Sequence, residues 1–195
     1  MSAVFEVHLM YKRNISFLEV MDVLKKNAIS CSIESIECMD SWEYDNHQTL
    51  NNQSINDIDI LIQNQYKIFL IEGVINSMYR FGINFSKGEG NQYCLDFWIT
   101  TKGLEQLDSN YITDENIELY EKLKYQLITY GNRELLVLCG IGSEITMPES
   151  SQVEDIVAKS KNICMWILPS EKFDATLDRF NKETDNGFFV YSLKA

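Results

Sequence analysis

Two short, unbroken apolar runs constrain this chain more than any other feature: residues 135–141 (LLVLCGI) and 163–168 (ICMWIL) contain no charged and no strongly polar side chain. Each is far shorter than the roughly 18 residues a bilayer-spanning helix needs. Each has the length of a strand covered on both faces, which alternation alone would not give. A strand of that kind needs a layer on either side, so the rest of the chain must supply helices as well as sheet.

Helices are signalled around these strands. Ser16 stands three residues before Glu19, the spacing of a capping box, and Ile15 is placed to staple onto Val20. Phe17, Val20, Met21 and Leu24 give that helix one apolar face, and Asn27 suits its end. A strand is expected before it, at residues 3–11, and another after it, where Ile29, Cys31 and Ile33 alternate with Ser30, Ser32 and Glu34. Residues 66–75, 78–85 and 92–100 form a β-meander, the last two joined through SKGEGN, whose glycines suit a hairpin connection. Residues 38–57 are the longest irregular stretch. Behind them Ser54 and Asp57 suit the start of a helix through Ile58, Leu61 and Ile62, although Ile58, Ile60 and Ile62 fit a strand equally well.

The second half alternates. Thr113 caps a helix carrying Ile117, Tyr120, Leu123 and Leu127, with Gly131 just beyond it. Ser151 and Glu154 form a capping box before Ile156 and Val157. Ser170 opens a helix carrying Phe173, Leu177 and Phe180, and residues 188–193 close the chain as a strand. The expected fold is α+β: a mixed sheet with an N-terminal β-α-β unit and a meander, then an alternating α/β half, packed as one unit over residues 1–195. Residues 101–112 are the natural seam, dividing sub-lobes 1–102 and 111–195.

Charge excludes partners. Twenty-nine acidic against 17 basic side chains give a net charge of −12, a field that repels phosphate backbones and anionic lipid alike. Neither nucleic acid nor a membrane is an expected partner; a basic protein is. The five cysteines, Cys31, Cys38, Cys94, Cys139 and Cys164, are odd in number and contain no CxxC pair, as in a reducing compartment. In MSAVFEVHLMYKR the basic residues follow the apolar run, which makes it a first strand rather than a leader. A cytoplasmic protein is expected.

Motifs for chemistry are weak. Gly140, Gly142 and Ser143 follow a buried run, as in a phosphate-binding turn, but a third glycine, an immediate helix and a GK[ST] are missing. His8 alternates with Glu6 along one strand, and His47 lies two residues after Asp45; no nucleophile stands near either. No Cys or His spacing suits zinc. No cofactor, metal or catalytic residue is expected, and a small enzyme or nucleotide-binding domain using the glycine turn at 140–143 is the alternative.

Acid distribution is more telling, because three segments without any Lys or Arg hold 18 of the 29 acids. In the first of them, CMDSWEYDNH, acids and aromatics interleave. Glu37, Asp40, Trp42, Glu43, Tyr44 and Asp45 form the expected partner-binding site, with aromatics as anchors and carboxylates to meet Arg and Lys. The function this implies is a non-enzymatic, immunity-type inhibitor of a basic, toxin-like protein such as a nuclease.

Overall fold

The computed structural model describes residues 3–13, 16, 18–20, 22, 26, 30–50, 58–64, 66–87, 92–130, 134–148, 150 and 152–195. Several expected features lie outside the described residues: the staple at Ile15, Phe17, Met21, Leu24 and Asn27 of the first helix, the capping pair Ser54 and Asp57, the glycines of SKGEGN, Gly131 and Ser151. Strands outweigh helices, and the chain divides into two compact units, residues Arg13–Thr100 on one side and Met1–Lys12 with Thr101–Ala195 on the other.

The unit from Arg13 to Thr100 is built on β2 (Cys31–Met39), β3 (Gln48–Leu50), β4 (Ile68–Ile75), β5 (Tyr79–Lys87) and β6 (Tyr93–Thr100), in the order β3-β2-β4-β5-β6. All its described ladders are antiparallel, and the meander over β4, β5 and β6 is in place. Asn76 and Ser77, both left-handed at φ 54° and 57°, are the central residues of the three-residue β4–β5 turn, which Met78 N–H closes onto the Ile75 carbonyl at 3.2 Å. Period-two patterning gives the sheet two unlike faces. Ile36, Cys38, Phe69, Ile71, Phe81, Ile83, Phe85, Tyr93 and Leu95 are buried on one. Leu70, Glu72, Val74, Asn84, Cys94, Asp96 and Trp98, half-buried, and Arg80, exposed, stand on the other. Gly82 is required there, because a Cβ would sit 2.2 Å from the Trp98 ring. The ambiguous run after residue 57 is a helix, α1 (Ile58–Asn64). Strand alternation would put Ile58 and Ile60 on one face, yet Ile58 is 0% and Ile60 is 60% exposed.

The other unit orders its strands β1-β7-β8-β10-β9: β1 (Val4–Tyr11), β7 (Leu136–Thr146), β8 (Lys161–Leu168), β9 (Asn181–Asp185) and β10 (Phe188–Ser192). Helices α2 (Ile117–Tyr130) and α3 (Val153–Lys159) accompany them. The apolar runs are the inner strands β7 and β8, as their composition demands, and Trp166 on β8 sits within a core of Leu138, Ile156, Leu168, Phe173, Leu177 and Tyr191.

Two expectations need correction here, and one strand was not expected. The named strands pair antiparallel throughout the described residues, and the parallel component of the expected mixed sheet is limited to an isolated bridge between Ile112 and Lys194. The reason is reach. The links at residues 76–78 and 186–187 are far shorter than the roughly dozen residues a parallel crossover takes, so those strands can only return antiparallel. Residues 170–180 do not form a helix; they are successive turns, held by single bonds such as Leu177 N–H to the Phe173 carbonyl at 3.0 Å and Phe180 N–H to the Leu177 carbonyl at 2.9 Å. Phe173, Leu177 and Phe180 are buried all the same. Finally, residues 181–185 are a strand, paired to β10 through the left-handed Asn186 and Gly187, a two-residue hairpin turn.

Candidate functional site

All six expected site residues lie on β2 and the loop that leads from it into β3. Glu37 is paired across the ladder with Thr49, and residues 40–47 make the turn. The loop is short for its polarity and satisfies itself. Asp40 N–H donates to the Asp45 carbonyl at 2.9 Å, Tyr44 N–H to the Ser41 carbonyl at 3.1 Å and His47 N–H to the Tyr44 carbonyl at 3.3 Å. The Ser41 hydroxyl donates to the Asp45 carboxylate at 2.7 Å and accepts Glu43 N–H at 3.2 Å, and the Asn46 amide donates to the Asp40 carboxylate at 2.5 Å. Ser, Asp and Asn bond their own local backbone readily, which is why this composition closes so tight a turn.

That network divides the labour among the acids. Asp40 and Asp45 brace the turn, and Glu37 lies 3.1 Å from Nε2 of His47 across the hairpin. The Glu43 carboxylate, among the described residues, has no hydrogen-bond or ion-pair partner and faces solvent. Trp42 is 52% and Tyr44 57% exposed. Tyr44 and Asn46 take left-handed backbone, φ 65° and 52°. For asparagine this is mild, and for tyrosine it is uncommon. The Tyr44 ring meets the His47 ring edge-on at 5.4 Å. Contact chemistry is therefore concentrated in Trp42, Glu43 and Tyr44, and a core role for Trp42 is set aside by its exposure. At the foot of the loop the charge is mixed: exposed Lys67 donates its N–H to the Met39 carbonyl, and Lys87 N–H bonds the Lys67 carbonyl. Beneath, Cys38 donates its thiol to the Gln48 carbonyl at 3.6 Å, and burial pushes that thiol up.

Ser41, Asn46 and His47 are the functional neighbours that charge counting passes over. Their signal is local: polar side chains on either side of Trp42, Glu43 and Tyr44, with Ser and Asn of the turn-forming kind.

The alternative site looks different from its sequence. Gly140 to Ser143 are not a turn but the middle of β7, with Gly140 opposite His8 and Trp166 and Gly142 opposite Glu6 and Ile163. A Cβ at Gly140 would meet the Met147 side chain at 2.6 Å, and one at Gly142 would meet the Asn162 carbonyl oxygen at 2.0 Å. These glycines admit crossing neighbours, not a phosphate. Glu6 accepts Ile145 N–H at 2.5 Å and stands 3.9 Å from His8, so it secures the far end of β7. A shallow depression of about 210 Å³ in the same unit is lined by Asp174, Leu177, Asp178, Phe180, Lys182 and Tyr191. Its central charges answer one another: Asp174 accepts from Lys182 at 2.6 Å and from the Tyr191 hydroxyl at 2.5 Å. Those two bonds hold the Asp174 carboxyl below its ordinary value, and the same pairing holds Lys182 above its own.

Among the described residues no group of three or more His, Cys, Asp or Glu side chains is placed to hold a metal ion, and no helix is long and apolar enough to cross a membrane. Comparison of the chain with family models, with curated proteins and with solved structures finds no match.

Proposed function

We propose that this chain is a non-enzymatic binding protein of the immunity type, which neutralises a basic protein partner, a cationic bacterial toxin such as a nuclease, in the cytoplasm. One observation carries the reading: Trp42 and Tyr44, large aromatics, are more than half exposed on a loop whose own hydrogen bonds fix it. An ordered loop loses little freedom on binding, and that is where an interface gains affinity. Tryptophan and tyrosine are the commonest anchors of protein interfaces. The net charge of −12 steers a cationic protein toward the surface and sets its arrival rate.

The test is capture from source-cell and neighbouring-strain lysates on the immobilised chain at low and high salt, with mass spectrometry of what is retained. A basic protein held at low salt, displaced by salt and lost with Trp42→Ala supports the proposal; that substitution is expected to cost about 2 kcal/mol or more of affinity. Retention that ignores both salt and Trp42 would refute it.

A further inference from the structure

A loop of eight residues is too small to be a whole interface, since a stable contact takes roughly 20–30 residues a side. The surface must continue, and the way it continues is set by the register of the sheet. Glu37 stands opposite Leu70, Leu70 opposite Asn84, and Asn84 opposite Asp96, so one row of side chains runs from the foot of the loop across β4, β5 and β6. The adjacent row is Ser35, Glu72, Gly82 and Trp98. Both rows lie on the face opposite the core, where Leu70, Val74 and Trp98 remain half-buried.

Charge on that face is predominantly negative. Glu37, Glu72 and Asp96 are set against Arg80, which is 3.2 Å from Glu72, with side chains 60% and 44% exposed respectively. Burial and the neighbouring Asp96 push the Cys94 thiol up to about 11. The indole of Trp98 lies against Gly82, where a Cβ would come within 2.2 Å of it, and stays half-buried on this face.

We infer that the outer face of β4–β5–β6 is the second half of the partner-binding surface, fitted to a basic protein patch whose apolar centre seats on Trp98 and whose Arg and Lys side chains meet Glu37, Glu72 and Asp96. This rests on the proposal that the loop itself meets a basic partner. Charge complementarity selects the occupant, and Glu37, shared by loop and face, makes the two regions continuous.

The experiment uses the ¹⁵N-labelled full chain and a deca-arginine peptide as the cationic probe. Shifts are expected at the indole N–H of Trp98 and the amides of Leu70 and Val74 together with the indole N–H of Trp42. Glu72→Gln with Asp96→Asn should weaken the peptide about threefold, Arg80→Gln should strengthen it, and Trp42→Ala with Glu43→Gln reports the loop separately. Both conservative variants alter half-exposed positions, and the ¹⁵N spectrum reports whether each is folded. Should the double variant fail to fold, Arg80→Gln decides, because it predicts a change in the opposite direction. Weakening by the loop variant alone, with Trp98 silent and Arg80→Gln neutral, would overturn the inference and leave the loop proposal standing. Shifts gathered instead around Glu118 and Glu121 on α2, with both regions silent, would overturn both.

Discussion

Residues 40–47 and residues 170–180 are both irregular, both rich in acids and both interleaved with large side chains, yet they are built in opposite senses. The first turns its polar groups on one another: Ser41, Asp45, Asn46 and Asp40 close the loop, and Trp42 and Tyr44 are left outside. The second turns its polar groups on the sheet. Asp174 takes hydrogen bonds from Lys182 on β9 and Tyr191 on β10, and Phe173, Leu177 and Phe180 go into the core. The lesson is that where a loop's hydrogen bonds end decides what its aromatics do. Bonds that close within the loop make a presented surface; bonds that reach the scaffold make a lid on the core.

Truncating one anchor from each region tests that contrast with the largest effect. Phe173→Ala should lower unfolding free energy by about 3–5 kcal/mol, the cost of emptying a well-packed aromatic site, seen as a lower urea midpoint. Trp42→Ala should stay within about 0.5 kcal/mol of the parent, as surface substitutions do. Equal losses at both positions would erase the distinction between lid and presented loop.

A smaller effect follows from how the lid is tethered. Asp174 is held below its ordinary value by the bonds from Lys182 and Tyr191, and Glu154 likewise by Lys172 at 2.5 Å. A depressed carboxyl adds stability that is present above its unfolded value and lost as pH falls through its folded one. Urea midpoints should therefore decline between about pH 5 and pH 2. The decline should be shallower in Asp174→Asn, and the two curves should converge at the acid end. Parallel curves would mean that the tether contributes nothing to folding.

How far this contrast was legible in the sequence depends on which physical signal each region carries. Period-two alternation and apolar runs made β1, the meander and the buried strands β7 and β8 readable, because burial on one face or two leaves a direct mark on composition. The spacing of Phe173, Leu177 and Phe180 matches a helix, and their burial came true without one. A three-to-four-residue spacing says which side chains point together, and a string of turns meets that requirement as well as a helix does. Asn186–Gly187 was the overlooked cue that a strand must precede β10. Gly140 and Gly142 were misread as a turn since a glycine needed for a crossing neighbour and a glycine needed for its φ have the same letter. At the candidate site, the acids and aromatics could be read from the chain. Their division into braces and contacts could not, because it depends on which carboxylate each of Ser41, Asn46 and His47 reaches.

That division yields the smallest and most discriminating effect. Ser41 is the one side chain that both donates to Asp45 and accepts from Glu43 N–H, so it links the two halves of the turn. The bonds are exposed, and removing them should cost about 0.5–1 kcal/mol at most, too little to move the unfolding curve much. Local opening of the loop draws on the same small free energy, and there the loss is a large fraction of the total. Ser41→Ala should therefore speed hydrogen exchange at the amides of Tyr44 and His47 several-fold, while amides of Ile71 and Ile83 in the sheet exchange as before. Partner affinity should fall through lost order alone, since the hydroxyl is already occupied within the turn and Trp42, Glu43 and Tyr44 are unchanged. If exchange quickens and affinity holds, the exposed aromatics bind without being held in place, and presentation by a closed network is the wrong account of this loop.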